Sequence, residues 1–214
     1  IPDEIVSPPE TLIGELTECL LSTWWIPNRM IAGLAARHTV AYLAGGNYRS
    51  SIGDRVNIQQ VAIGETGSGK DLLVTGIQQI VQCAFEDSSE QLKVLLAGII
   101  DEAGSAEGID DRIRSIGDKH DLILVRDEIG DMFKAAAQGN MYKSGILSYA
   151  LRMYTQSNTI SNERAKAKKK GENESTILYA PHFIVSGATT PTLLLGGLTS
   201  DLVSTGSMSR MVFF

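Results

Sequence analysis

The segment Gly64-Glu65-Thr66-Gly67-Ser68-Gly69-Lys70 follows the pattern G-x-x-x-x-G-K, and those residue types suit one kind of chemistry. Glycines permit positive φ and close backbone approach, so successive N–H groups can converge on phosphate oxygens. The lysine ammonium can reach the outer phosphates of a nucleotide, and a helix starting beside it adds its positive end. A serine or threonine usually comes next, its hydroxyl ligating magnesium. Here the next residue is Asp71. A carboxylate also holds a hard cation through oxygen. Without a cation, a like-charge pair at about 4 Å costs on the order of 4 kcal/mol in a surface-like dielectric. The stretch Gly64 to Asp71 is therefore expected to hold ATP with Mg²⁺. Whether Asp71 makes turnover sharply metal-dependent or merely slow stays open.

A second element is "LILVRDE", Leu122 to Glu128, an apolar run ending in two acids. Asp127 is expected to hold the metal together with Asp71, and Glu128 to orient and polarise an attacking water. The same pair could instead cap a helix after a core strand. "FIVSGATTP" brings Ser186, Thr189 or Thr190 to the tip of another strand. A hydroxyl there senses the outer phosphate, with Thr189 the residue assigned to the nucleotide, or else the strand simply closes before Pro191. Arg210, in "GSMSR", can stabilise phosphoryl charge across a subunit boundary or form a surface ion pair. The catalytic set read in this way is Lys70, Glu128 and Arg210. "ERAKAKKKGENE" carries Arg164, Lys166, Lys168, Lys169 and Lys170. Such a run grips a nucleic-acid backbone or is a solvated hairpin tip. No aromatic is interleaved to stack on bases.

These residues need a scaffold. "SPPETLIGELTECLLSTWW" reads as a helix opened by Pro8 and Pro9 with Thr11 near its cap. "NRMIAGLAARHTVAYLAGG" reads as a second helix stopped at Gly45–Gly46, so residues 1–50 form a helical layer on a core of residues 51–214. Trp24 and Trp25, at the junction, are expected to anchor packing. "VNIQQVAIG" from Val56 is a strand feeding the glycine loop, and "KDLLVTGIQQIVQCAF" an amphipathic helix leaving it, the context such a loop requires. A capped helix from Ser105 to Gly117, the strand at Leu122, a helix in "GILSYALRMYTQS" and a strand ending near Ser186 complete the alternation. Strands alternating with helices predict a mostly parallel sheet covered on both faces.

Composition narrows the classes. Apolar residues are 43% and charged residues 21%, the profile of a chain able to bury one core of ordinary domain size. The longest apolar run, "VLLAGII" from Val94, is far short of a membrane span. No secretory leader pattern is read, and Ile1 in place of Met leads us to expect a piece of a longer chain. Cys19 and Cys83 lack ligand spacing and are expected as buried, inert thiols, in keeping with a reducing cytoplasm. His38, His120 and His182 are scattered singly. A net charge of −6 argues against a surface that coats nucleic acid, while leaving room for a local basic contact.

Taken together the chain resembles the P-loop ATPase domain of phage, prophage and mobile-element primase–helicase proteins. The resemblance runs almost end to end. It covers "PPETLIGELTECLLST", "GGNYRSSIGDRVNIQQVAIGETGSGKD", "GSAEGIDDRI", "LILVRDEIGDMF" and "SGATTPTLLLGGLTSDLVSTGSMSRMVFF". The "TTP" and the terminal G-x-x-x-R are its more specific parts. It implies a RecA/AAA-like P-loop NTPase core in a homo-oligomeric ring, a hexamer being the ring size in view. It also implies action on replicating DNA beside a primase, with single-stranded DNA as a partner and no membrane. By the resemblance, Lys70 is the nucleotide lysine, Asp127 the metal acid, Glu128 the catalytic acid and Arg210 the candidate finger. Asp71 departs from the pattern, as does Ser207, where an aromatic residue is usual. Two rivals remain: a nucleotide-gated assembly or loader module with little turnover, and a small-molecule kinase using the same loop.

Overall fold

A computed structural model describes residues 8–45, 47–116, 121–161, 178–204, 206 and 208–214. The chain runs through α1 (Leu12–Thr23) and α2 (Arg29–Ala44) into β1 (Gln59–Ile63) and α3 (Leu72–Ala84). Next come α4 (Ser89–Ala97), β2 (Ile99–Ile100), α5 (Ala106–Ser115) and β3 (Asp121–Arg126). Then follow α6 (Gly130–Ala137), α7 (Met141–Thr155), β4 (Ile160–Ser161), β5 (Leu178–Tyr179) and β6 (His182–Thr189). The last elements are α8 (Pro191–Gly197), α9 (Ser200–Ser204) and β7 (Val212–Phe213).

Five strands form one sheet in the order β2-β3-β6-β1-β7, with every pairing parallel. A separate short ribbon pairs β4 with β5 antiparallel. Period-2 alternation assigns the two faces. Leu122, Leu124, Phe183 and Val185 join one buried cluster with Ile109 and Ile113 of α5, Phe133 of α6 and Ile146 of α7. Ile123, Val125, Ile184 and Ala188 join the other, with Leu34 of α2 and Leu72 and Ile77 of α3. Strands buried on both faces read as unbroken apolar runs, which is why "LILV" and "FIV" are their own signal. Each large apolar side chain so buried contributes roughly 1.5–3 kcal/mol.

Helix starts follow side-chain caps worth about 1 kcal/mol each. Thr11 accepts from Gly14 N–H, Asn28 from Ile31 N–H and Ser105 from Gly108 N–H, at 3.1, 3.2 and 3.2 Å. The two N-terminal helices lie on the α3 face, with Ile31, Leu34 and Ala35 in the same cluster as the α3 residues. At the amino end of the sheet, Asn57 Nδ2 donates to the Met153 and Pro181 carbonyls, each at 3.0 Å. Gln59 Nε2 donates to Ala150 O at 3.0 Å, pinning β1 to α7. Among the described residues no helix is long and apolar enough to cross a membrane.

Several expectations shift. The β1 strand begins at Gln59 rather than Val56, and β6 runs on to Thr189 instead of stopping near Ser186. Cys19 and Cys83 are exposed, not buried: both line an open groove between α1 and α3. Trp24 packs against the core as expected, but Trp25 is 91% exposed. The "VLLAGII" run divides between the end of α4 and β2, with Gly98 between them.

Candidate functional site

At its carboxyl end β1 passes into the glycine loop. Gly64 N–H donates to Thr189 O at 2.9 Å, extending the β1–β6 ladder by one rung before the chain turns. The turn is made at Gly67 (φ +80°) and Gly69 (φ +79°), values that favour glycine. Ser68 N–H donates to Glu65 O at 3.2 Å, and Leu72 N–H to Gly69 O at 3.1 Å, so α3 starts directly from the loop. Lys70 folds back over the loop: its Nζ donates to Gly64 O and Glu65 O at 3.0 and 3.2 Å.

The cradle is tight where it meets the protein and open where a ligand would enter. A Cβ at Gly64 would stand 2.6 Å from Ser68 Oγ, and one at Gly69 2.9 Å from Ile26 O. One at Gly67 meets nothing within 4 Å. Ser68 Oγ is buried without a hydrogen-bond partner among the described residues, a donor left over in the loop. Glu65 and Thr66 are exposed. These features fit a bound polyphosphate. Asp71, just before α3, is exposed and its carboxylate caps no N–H of that helix.

The acid pair follows β3 immediately, two positions across the sheet from β1. Ile129 N–H donates to Ala188 O at 2.8 Å, drawing the turn that carries Asp127 and Glu128 against the end of β6. Close packing enforces this approach, since a Cβ at Gly187 would stand 2.7 Å from Ile129. Glu128 Oε1 accepts from Thr189 Oγ1 at 2.6 Å and from Thr190 N–H at 3.3 Å. Thr189 is fully buried, Glu128 half-buried and Asp127 exposed. The structure thus joins Gly64, Thr189 and Glu128 by direct hydrogen bonds at the carboxyl ends of three neighbouring strands, where open parallel sheets take their ligands.

No group of three or more His, Cys, Asp or Glu suited to a metal occurs among the described residues. Mg²⁺ needs none, because it binds through one or two carboxylates, phosphate oxygens and water. The exposed Asp127 and Asp71 carboxylates suit that mode.

The remaining expected residues lie elsewhere. Ser186 is not at a strand tip: it is buried within β6, 2.8 Å from His38 Nδ1 of α2. Thr190 caps α8, its Oγ1 accepting from Leu193 N–H at 3.4 Å. Arg210 stands at the amino end of the sheet, beside a cavity lined by Asn57, Ile58 and Tyr154, and donates to Gly206 O at 3.1 Å. That is the opposite end from the glycine loop, so its chemistry on a phosphoryl group would need one held by another copy. Arg164, Lys166, Lys168, Lys169 and Lys170 lie outside the described residues, as do His120 and Ser207.

One contributor went unread in the sequence. Asn28 Nδ2 donates to Ser68 O at 2.9 Å, so the linker between α1 and α2 braces the loop. An Asx cap is legible at this position, but a bond across 40 residues is not. His38, read as one of three scattered histidines, is a core residue: burial, then the charge of Arg37, pushes its pKa down to about 3, keeping the ring neutral.

These features define an α/β protein with an all-parallel five-stranded sheet and a glycine loop and acid turn at the carboxyl ends of its inner strands. Set against protein-family models and against curated proteins, the chain finds no match in either.

Proposed function

We propose that this chain binds ATP with Mg²⁺ and hydrolyses it, within a P-loop NTPase core. The observation that carries the reading is Thr189, whose carbonyl accepts from the glycine loop and whose hydroxyl holds Glu128. A loop built for polyphosphate and an acid able to direct water are thereby held to one residue. The strand order supports it too, with β6 alone between the loop strand and the acid strand.

In this reading the loop N–H groups and Ser68 Oγ hold the phosphates. Lys70 exchanges its two carbonyl partners for phosphate oxygens, which makes it a binding group and a charge stabiliser together. Glu128, oriented by Thr189 and Thr190 N–H, positions the attacking water and takes its proton. When bound, Mg²⁺ neutralises charge on the outer phosphates, with Asp127 and Asp71 the residues that would hold it or its waters. The resemblance of the sequence extends the proposal to a helicase-like motor in the DNA replication of a phage or mobile element, assembled as a ring. A nucleotide-gated assembly module is the second reading, favoured by Asp71: an uncapped carboxylate stands where a hydroxyl ligand is usual.

Titration calorimetry and an ATPase assay with and without single-stranded DNA test both. Lys70→Ala should abolish ATP binding, and Glu128→Gln should keep binding while stopping turnover. Equal hydrolysis by wild type and Glu128→Gln would end the enzymatic reading. Binding and assembly without turnover would favour the module.

A further inference from the structure

We propose that Trp25 is the nucleobase platform of this site, its indole stacking on the base of a nucleoside triphosphate whose phosphates lie in the Gly64–Lys70 loop. The proposal rests on the nucleotide reading above and adds what holds the other end of the ligand.

Three observations lead to it. The linker between α1 and α2 abuts the far end of the loop, where a Cβ on Gly69 would stand 2.9 Å from Ile26 O and 3.4 Å from Ile26 Cγ2. The same linker is fixed in place: Asn28 donates to Ser68 O at 2.9 Å while its Oδ1 caps α2 through Ile31 N–H. Between these anchors and the core-packed Trp24, Trp25 leaves 91% of its surface to solvent. Ile26 is the residue that touches the loop, so Trp25 stands one residue from the phosphate cradle with a large solvent-facing indole.

Direction supports the assignment. The loop begins at Gly64, bonded to Thr189 and through it to Glu128, and reaches Gly69 under the linker. A triphosphate with its reacting end toward Glu128 therefore has its nucleoside end toward Gly69 and Trp25. The segment Trp24-Trp25-Ile26-Pro27 carries no charge, which suits a neutral base, and Pro27 stiffens it. Stacking tolerates any base because every base has a π-face, so ATP and GTP should bind comparably.

Calorimetry with MgATP, MgGTP and magnesium tripolyphosphate, on wild type, Trp25→Ala and Trp25→Phe, tests this. Trp25→Ala should weaken ATP and GTP binding about tenfold or more, leave tripolyphosphate within about twofold, and be largely rescued in Trp25→Phe. Unchanged ATP affinity in Trp25→Ala, or equal weakening of ATP and tripolyphosphate, overturns the tryptophan's role. So does a change in assembly size by light scattering without nucleotide, which would give the indole to a subunit contact. Wild type binding neither ATP nor tripolyphosphate would remove the nucleotide reading itself, and the platform with it.

Discussion

Thr189 Oγ1 donates to Glu128 Oε1 at 2.6 Å, the shortest link between the acid turn and the strand that borders the glycine loop. Thr189 is fully buried, and the other acceptor near its hydroxyl, Thr190 O, stands farther off at 3.4 Å. Thr189→Val keeps shape and strand propensity but removes the donor, leaving Glu128 with the Thr190 N–H as its one donor among the described residues. A hydrogen bond to a charged group is worth roughly 1.5–3 kcal/mol, so turnover should fall about tenfold or more. ATP affinity should stay within about threefold, because Gly64 bonds the Thr189 carbonyl, which valine retains. Steady-state kinetics and calorimetry check this; loss of affinity with unchanged turnover would contradict it.

Gly67 and Gly69 share a positive φ but not an environment. An alanine at Gly67 meets open space, so it should cost only the left-handed backbone, about 1–2 kcal/mol. At Gly69 the added methyl also presses on the Ile26 carbonyl, and the linker must shift. Gly69→Ala should therefore unfold several degrees below Gly67→Ala, given about 2–4 °C per kcal/mol for a chain of this size. Thermal unfolding of the two variants side by side is the check, and equal melting temperatures would mean that the linker does not bear on the loop.

Sequence reading found what is local and missed what is not. The glycine loop, the apolar strand before the two acids and the caps at Thr11 and Ser105 were legible, because period, turn chemistry and capping act within a few residues. The carboxyl-end placement of loop and acid pair followed from alternation of strands and helices. Ser186 went wrong because a hydroxyl near a strand end looks the same whether it faces a ligand or a core histidine. Arg210 is a matter of register: standing two residues before β7 leaves it at the amino end of a parallel strand. Trp25 and Cys83 show that an apolar residue in an apolar pattern is not thereby buried, since which flank meets a neighbour is decided by distant packing.

Asp71 sets stability against turnover. An acid at the N-cap position of α3 complements the helix dipole by about 0.3–1 kcal/mol, and its carboxylate caps no N–H that would compel it to stay. Asp71→Thr gives up that stabilisation and supplies the hydroxyl that such loops ordinarily offer to magnesium. Melting temperature should drop by a degree or so, roughly, while turnover at saturating ATP and Mg²⁺ rises several-fold. If turnover falls instead, Asp71 is itself a productive metal ligand, and hydrolysis in this chain depends on a carboxylate.

His38 and Ser186 form a buried pair, Nδ1 to Oγ at 2.8 Å, with His38 Nε2 left without a hydrogen-bond partner among the described residues. Burial and Arg37 hold the folded pKa near 3, against 6.5 for the ordinary side chain. Between those values the unfolded chain binds the extra proton, so the contribution of His38 is complete above about pH 6.5 and is lost as pH falls toward 3. At pH 5 the loss should be about 2 kcal/mol. Replacing both partners at once, His38→Leu with Ser186→Ala, removes the titrating ring without orphaning the hydroxyl and should be nearly neutral at pH 7.5. Urea denaturation at pH 7.5 and 5 should then show wild type losing about 2 kcal/mol more than the double variant. Equal losses would mean that the ring does not stay neutral inside the fold, and that the packing of α2 on β6 tolerates a charge.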